Sequence, residues 1–102
     1  MLELRPNCEL CDRDLPPGSP DARICSYECT FCADCAERML RNVCPNCGGG
    51  FQPRPIRPGG AWREGTGLAN DPPGTTRRAP SSSREEIEAL VGRLEGVPPG
   101  ER

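Results

Sequence analysis

Eight cysteines carry most of the chemistry available to this sequence of 102 residues. They form four short pairs with the spacing C-x2-C-x13-C-x3-C-x2-C-x2-C-x8-C-x2-C. Two thiolates two residues apart reach one ion when the backbone between them turns tightly, and two such pairs complete the tetrahedral sulfur shell of structural zinc. The spacing therefore predicts two zinc ions. The predicted ligands are Cys8, Cys11, Cys25, Cys29, Cys32, Cys35, Cys44 and Cys47.

Three other uses of the cysteines fit the sequence less well. A disulfide framework suits an oxidising compartment, but residues 1–5 lack the basic and apolar stretches of a secretory signal. A ferredoxin-type iron–sulfur cluster needs three residues before its final Cys-Pro, whereas eight residues separate Cys35 from Cys44. No thioredoxin-like strand–helix–strand pattern surrounds any Cys-x-x-Cys pair, which argues against redox catalysis. We expect a cytoplasmic metal-binding protein.

Enzymatic activity is not expected of this chain. The sequence has no histidine, and a closed shell of four thiolates leaves no coordination position for a reacting water. We interpret four aspartates as solvated groups or as hydrogen-bond partners of the cysteine turns, and not as an acid–base pair. These aspartates are Asp12, Asp14, Asp21 and Asp34. The sequence thus favours a non-catalytic structural zinc-binding protein that acts as a small protein-interaction module.

Short elements must position the cysteines, which all lie in residues 1–52. The predicted elements are strands near Ala22–Cys25 and Thr30–Phe31, forming a hairpin, and one helix from about Ala33 to Arg41. The predicted core between the metal sites comprises Phe31, Met39, Leu40 and Val43. So few apolar side chains do not offset the entropy of ordering the domain without metal. We predict a small zinc-stabilised α+β fold for residues 1–52.

Composition divides the rest of the chain into three parts. Residues 53–82 are rich in Pro, Gly and Arg and predict a disordered linker. Residues 83–96 predict an amphipathic helix with a capping box at Ser83 and Glu86 and with one apolar stripe. The stripe comprises Ile87, Leu90, Val91 and Leu94. Two roles stay open for this helix, docking on its own domain or binding a partner, and residues 97–102 predict a disordered tail.

The distribution of charge argues against nucleic acid as a partner. Residues 1–50 carry a net charge of −3, residues 51–84 of +4 and residues 85–102 of −3. Eight thiolates on two divalent ions bring the whole protein to about −6, whereas phosphate binding requires clusters of Lys and Arg. The apolar runs are too short to cross a bilayer. We therefore expect a protein partner, with neither nucleic acid nor membrane.

The cysteine spacing resembles an all-cysteine RING finger in which Cys29 stands where that family usually has histidine. The resemblance implies a cross-brace with one zinc ion on Cys8, Cys11, Cys32 and Cys35 and the other on Cys25, Cys29, Cys44 and Cys47. A sequential pairing, with the first two pairs on one ion and the last two on the other, stays open.

Two alternative functions follow from the cysteine pattern. A RING-type ubiquitin-ligase-like adaptor is implied by the resemblance, with a partner groove at Leu10, Pro45 and the helix face near Met39. Gly48 stands where that family usually has a basic residue, which departs from the pattern. Zinc storage or sensing is the second alternative, and it requires exchangeable metal.

Residues 1–55 also resemble a bacterial family, domain of unknown function 1272. The resemblance rests on the segments MLELRPNC, CDRDLPPG, ARICSYECTFCADCA and CPNCGG. It implies a bacterial cytosolic protein with no assigned activity. The linker and the last helix lie outside the resemblance.

Overall fold

A three-stranded antiparallel sheet organises the cysteine-rich region in the computed structural model, which describes residues 1–102. The strands are β1 (Ala22–Ile24), β2 (Thr30–Cys32) and β3 (Gln52–Pro53), in the order β2-β1-β3. Arg23 in β1 lies opposite Phe31 on one side and Pro53 on the other. The predicted hairpin is thus confirmed, whereas β3 is too short to produce a periodic signal in the sequence.

The β1–β2 turn brings two cysteines of the predicted second site together. The Cys25 amide donates to the Cys29 carbonyl at 3.2 Å, and the Glu28 amide donates to the Cys25 carbonyl at 3.1 Å. Glu28 adopts a positive φ of 68°, which allows the chain to reverse within five residues. The hairpin turn is therefore also a cysteine turn.

A π-helical turn (Cys35–Met39) follows β2 after two α-helical residues, where the sequence predicted one helix continuing to about Arg41. The Leu40 amide donates to the Cys35 carbonyl at 2.8 Å, a bond from i+5 to i that widens the turn. This widening leaves Leu40 fully buried and Met39 48% exposed. The prediction that Met39 belongs to the core is therefore wrong, because it assumed ordinary α-helical spacing.

The core is built from cysteines and a few apolar side chains. Phe31, Leu40 and Val43 are buried, as predicted. Phe51 packs edge-on against Phe31, with ring centroids 5.3 Å apart. Six of the eight cysteines are buried as well. Sulfur atoms thus occupy space that hydrocarbon side chains fill in a larger domain, and the small α+β fold class is confirmed.

The last long element is an α-helix, α1 (Arg84–Leu94), that packs on the cysteine-rich region. Ser83 caps it: the Ser83 hydroxyl accepts from the Glu86 amide at 3.1 Å, and the Glu86 carboxylate accepts from the Ser83 amide at 3.3 Å. Ile87 and Val91 are buried in the same core cluster as the cysteines. In the structure the helix docks on its own domain, which is the first of the two roles considered above.

The segment for which composition predicts a disordered linker contacts the cysteine-rich region in the structure. Arg57 donates to the Leu2 carbonyl at 2.7 Å, and the Gly74 amide donates to the Leu4 carbonyl at 2.9 Å. Residues 54–82 contain no helix or strand. Composition predicts disorder because this segment has few apolar side chains. In the structure, backbone groups and arginine side chains make the contacts instead.

The C-terminal tail, residues 97–102, also contacts the cysteine-rich region, whereas the sequence predicted disorder there. It forms a 3₁₀ turn at Pro99–Glu101, and the Arg102 guanidinium donates to the carbonyls of Asn42 and Gly48 at 2.8 Å each. The structure differs from this prediction because, as in the linker, an arginine side chain donates hydrogen bonds to backbone carbonyls. None of the helices has the length and apolar character needed to cross a bilayer.

Candidate metal centres

The first cysteine cluster has the dimensions of a single-ion sulfur site. The thiols of Cys8, Cys11, Cys32 and Cys35 all lie within 4.8 Å of one another. The sulfur atoms of Cys11 and Cys32 are 3.8 Å apart. A tetrahedron with metal–sulfur distances of about 2.3 Å has edges of about 3.8 Å. The four thiols therefore fit one tetrahedrally coordinated ion.

The second cluster contains three close thiols with a fourth beside them. The thiols of Cys25, Cys44 and Cys47 lie within 4.8 Å of one another. Cys29 lies outside this group of three, but the β1–β2 turn keeps it beside Cys25, whose amide donates to the Cys29 carbonyl at 3.2 Å. The two clusters interleave along the chain as in a cross-brace, whereas the sequential pairing would join Cys8 to Cys25. Metal ligation by these groups stays a prediction.

The first and last cysteine pairs make the same tight turn, one in each cluster. In the first turn the Cys8 amide donates to the Arg13 carbonyl at 2.8 Å and the Asp12 amide donates to the Cys8 carbonyl at 2.9 Å. The Cys44 turn repeats these bonds at 2.8 and 2.7 Å. The residue after the second cysteine has φ of 66° at Asp12 and 80° at Gly48. The two turns are therefore equivalent building blocks.

Backbone amides point at four of the sulfur atoms. The acceptor sulfurs are those of Cys8, Cys25, Cys32 and Cys47, at distances of 3.5, 3.3, 3.5 and 3.4 Å. An amide dipole directed at a thiolate spreads its negative charge. In both clusters these amides thus offset part of the cost of burying a thiolate.

The protonation of the thiols couples metal binding to proton release. Burial raises the pKa of the thiols of Cys8, Cys29, Cys35 and Cys44. For Cys11 the effect of burial is outweighed by hydrogen bonds from the Arg13 backbone and from neighbouring thiols, so its pKa is lowered. Since a metal binds the thiolate, an incoming divalent ion must displace protons from the buried thiols.

A buried carboxylate, which sequence patterns did not indicate, supports the first cluster. Glu9, only 4% exposed, accepts hydrogen bonds from the Thr30 amide at 2.5 Å and from the Arg5 guanidinium at 3.0 Å. The Glu9 amide in turn donates to the Thr30 carbonyl at 2.9 Å. The first cysteine turn is thereby fixed to β2. An acid between two cysteines would ordinarily be taken for a solvated group.

Arg54 is a second buried charge that sequence reasoning missed, because it was assigned to the linker. Its guanidinium donates to the Arg5 carbonyl at 2.8 Å and to the carbonyls of Leu15 and Pro16 at 3.2 Å each. Burial lowers the pKa of Arg54. The folded unit therefore extends beyond residue 52, since Arg54 joins two loops of the cysteine-rich region.

The surface implied by the RING resemblance lies partly beside α1. Pro45 lines a depression together with Ile87 and Leu90 of α1. Leu10 is partly buried against the core, and Met39 is exposed. The α1 helix thus lies beside one of the three positions of the implied groove.

The predicted surface aspartates have different surroundings. Asp12 and Asp14 both bind the Arg77 guanidinium, with shortest oxygen–nitrogen distances of 2.6 Å at Asp14 and 2.6 Å at the Asp12 carbonyl. Asp34 lies 3.8 Å from Arg38, and Asp21 is exposed. Two of the four aspartates therefore contact a segment outside the cysteine-rich region.

The fold and the two clusters define a small cysteine-rich α+β protein with two candidate metal centres. The sequence profile of the family described as "Protein of unknown function (DUF1272)" matches residues 1–57, and the chain belongs to this family. An uncharacterized protein of Rhizobium meliloti (strain 1021) is 69% identical over 58 residues, which cover 57% of this chain and 69% of that relative. No solved structure matches significantly. The resemblance to this family is confirmed.

Proposed function

We propose that this protein is a non-catalytic structural zinc-binding protein that acts as a small protein-interaction module. One zinc ion binds Cys8, Cys11, Cys32 and Cys35, and the other binds Cys25, Cys29, Cys44 and Cys47. The observation that carries the proposal is the first cluster, whose thiols lie within 4.8 Å of one another. Four thiolates at these distances close the coordination shell, which is typical of structural zinc.

The donor set favours zinc over the other sulfur chemistries. Tetrahedral sites of four sulfurs hold zinc or iron. Separations such as the 3.8 Å between the sulfurs of Cys11 and Cys32 suit one shared ion, because cysteines on a multi-iron cluster bond different iron atoms. All eight cysteines are free of disulfides. A reducing compartment suits such a set of thiols, so we propose a cytoplasmic location.

The surface favours a protein partner over the alternative functions. The ubiquitin-ligase-like adaptor requires access to Pro45, beside which α1 packs. Zinc storage or sensing requires rapid metal exchange, which is opposed by the burial of six of the eight thiols. The overall negative charge opposes binding to nucleic acid. These features support a role as a zinc-stabilised scaffold that presents loops and one helix to a protein partner.

Native mass spectrometry combined with metal removal tests the zinc proposal. We expect two zinc ions per chain and a cooperative unfolding transition by circular dichroism. Chelation should abolish that transition, because each structural site contributes about 10–16 kcal/mol in zinc-finger peptides. An unchanged cooperative melt after complete metal removal, or a coloured iron-containing protein, would overturn the proposal.

The Cys25→Ser variant tests the ligand pairing. In the cross-brace, loss of Cys25 frees the ligands of the second site, so Cys44 and Cys47 should become reactive towards a thiol reagent. Cys8 and Cys11 should stay protected. The matched control is Ser26→Ala, at the exposed neighbouring position, which should leave all thiols protected. Reactive Cys8 and Cys11 with protected Cys44 and Cys47 would establish the sequential pairing instead.

A further inference from the structure

An irregular part of the linker, residues 73–80, lies in a groove beside the first cysteine turn; we call this part the strap. One side of the strap lines a depression with Glu9, Leu10 and Asp12. Its other side lines a depression with Leu4, Pro6 and Leu15. A peptide segment of this chain thus already occupies the surface between the two depressions.

The groove recognises the strap through its backbone. The fully buried Asn7 side chain donates to the Arg78 carbonyl at 2.8 Å and accepts from the Arg78 amide at 3.2 Å. The Gly74 amide donates to the Leu4 carbonyl at 2.9 Å. The strap therefore runs parallel to residues 4–7. Since backbone groups of the strap make these bonds, the bonds do not depend on the side chains of Gly74 and Arg78.

Charge supplies a side-chain preference. The Arg77 guanidinium contacts the carboxylates of Asp12 and Asp14 at 2.9 and 2.6 Å. It also donates to the Asp12 carbonyl at 2.6 Å. A planar guanidinium with several donors suits two acidic partners and a carbonyl better than a lysine ammonium does. The contacts at this position therefore suit an arginine side chain.

Part of the strap is exposed to solvent. Its contacts are backbone hydrogen bonds and ion pairs, and the Arg77 side chain remains 45% exposed. Such exposed ion pairs are weak. All groove residues lie in the part of the chain matched by the family profile, residues 1–57, whereas the strap lies outside it. The groove residues therefore lie within the matched range, and the strap lies beyond its end.

We propose that the groove formed by Leu4, Asn7, Asp12 and Asp14 is a docking site for an arginine-bearing peptide segment of a protein partner. The strap occupies this site as an internal, exchangeable competitor. This inference rests on the proposed function as an interaction module and names the chemistry of the partner. Because the strap is tethered, its effective concentration is high, and a partner binds only after displacing it.

A strap-released variant of the full chain tests the site directly. The double substitution Arg77→Glu and Arg78→Pro removes the guanidinium and the amide that donates to Asn7. The probe is a fluorescent synthetic peptide with the sequence of residues 72–80. We expect saturable binding to the released variant and at least tenfold weaker binding to the unmodified chain, in which the strap competes. The same peptide carrying Arg77→Glu should not bind.

Matched acids on the module separate site recognition from general charge attraction. In the released background, Asp14→Asn should weaken peptide binding at least threefold because Asp14 contacts Arg77 directly. The exposed Asp21 offers the control, and Asp21→Asn should leave binding unchanged. Equal effects of the two substitutions, or equal binding of the arginine and glutamate peptides, would overturn the proposal.

Two further measurements keep the outcome decisive. Native mass spectrometry of the released variant reports its two zinc ions, so that a metal-loaded variant without peptide binding refutes the groove and leaves the zinc proposal intact. Should the variant lose its metal, the unmodified chain is titrated with the unlabelled peptide. The backbone amide signals of Gly74 and Arg78 in the NMR spectrum should then shift at millimolar peptide, because the displaced strap loses its bonds to Leu4 and Asn7. No shift at that concentration would count against the groove.

Discussion

The two candidate metal centres are built from equivalent cysteine turns but are supported by different interactions. The first cluster is surrounded by polar groups: Glu9 binds Arg5 and the Thr30 amide, and Asn7 binds the strap. The second cluster lies under α1, which inserts Ile87 and Val91 into the shared core. The same local turn thus serves in both a hydrogen-bonded and an apolar environment.

This difference shows that the same cysteine turn forms whatever element packs over it. The turn at Gly48 is approached closely by α1, since a Cβ at Gly48 would lie 3.2 Å from Leu94 Cδ1. The turn at Asp12 is instead approached by Arg77, a charged group from the linker. We therefore expect apolar substitutions to act on the second centre and charge substitutions on the first. Four predictions test this division.

Truncation in α1 should have the largest effect. Ile87→Ala removes a buried side chain from the core and is expected to destabilise the protein by about 2–4 kcal/mol. The loss should depend little on salt, because no charge is removed. Denaturant unfolding measures the stability, and thiol labelling should show faster reaction at Cys47 than at Cys11. Ala89→Ser, on the exposed face of α1, is the control, and equal destabilisation by both variants would contradict the assignment.

Neutralising the buried carboxylate should act on the first centre. Glu9→Gln keeps the size of the side chain but removes the charge that pairs with Arg5, so we expect a loss of about 1–3 kcal/mol. Thiol labelling should now accelerate at Cys11 more than at Cys47. The exposed Glu37→Gln serves as the comparison. If Cys47 responds more strongly than Cys11, the proposed division between the centres fails.

Loss of the helix cap should moderately weaken the packing of α1 over the second metal centre. Ser83→Ala leaves the Glu86 amide without its hydroxyl acceptor and is expected to cost about 1 kcal/mol. The effect should appear as increased hydrogen exchange in the first turn of α1. Ser81→Ala, outside the helix, should change neither exchange nor stability. Identical exchange in both variants would show that the capping bonds do not contribute.

The smallest effect should come from Glu3, at the edge of the first centre. A hydrogen bond from Arg5 holds the pKa of Glu3 below its ordinary value. The folded protein therefore favours the carboxylate, and its contribution is present above about pH 4.5 and lost as the pH falls through the lowered pKa. Because the side chain is 36% exposed, the contribution is under about 1 kcal/mol.

Comparing Glu3→Gln with the unmodified chain across pH measures this contribution. The difference in unfolding free energy should be constant between about pH 7 and pH 5.5 and should shrink below pH 4.5. Glu64→Gln, in the linker, should show no difference at any pH. A difference that grows on acidification would mean that the Arg5 hydrogen bond does not stabilise the carboxylate.

Much of the fold was predictable because the informative signals are local. Cysteine spacing indicated paired turns, the segment from Ala22 to Phe31 predicted a hairpin, and Ser83 with Glu86 predicted the start of α1. The exposure of Met39 was missed because the π-helical turn depends on where Leu40 finds space in the core. The contacts of Glu9 and Arg54 were missed because a charged residue becomes buried only when distant backbone groups supply its partners.

By itself, the sequence determined the number and spacing of the thiols, the capped helix and the membership of a family, since these depend on residues near one another in the chain. Only the tertiary structure decided that Cys8 lies with Cys32, that α1 covers the second cluster and that Arg77 reaches Asp14. The physical reason is that such contacts form between residues far apart in the chain, 63 residues in the case of Arg77 and Asp14. They depend on surfaces that fit each other in three dimensions, and a local sequence pattern does not contain that information.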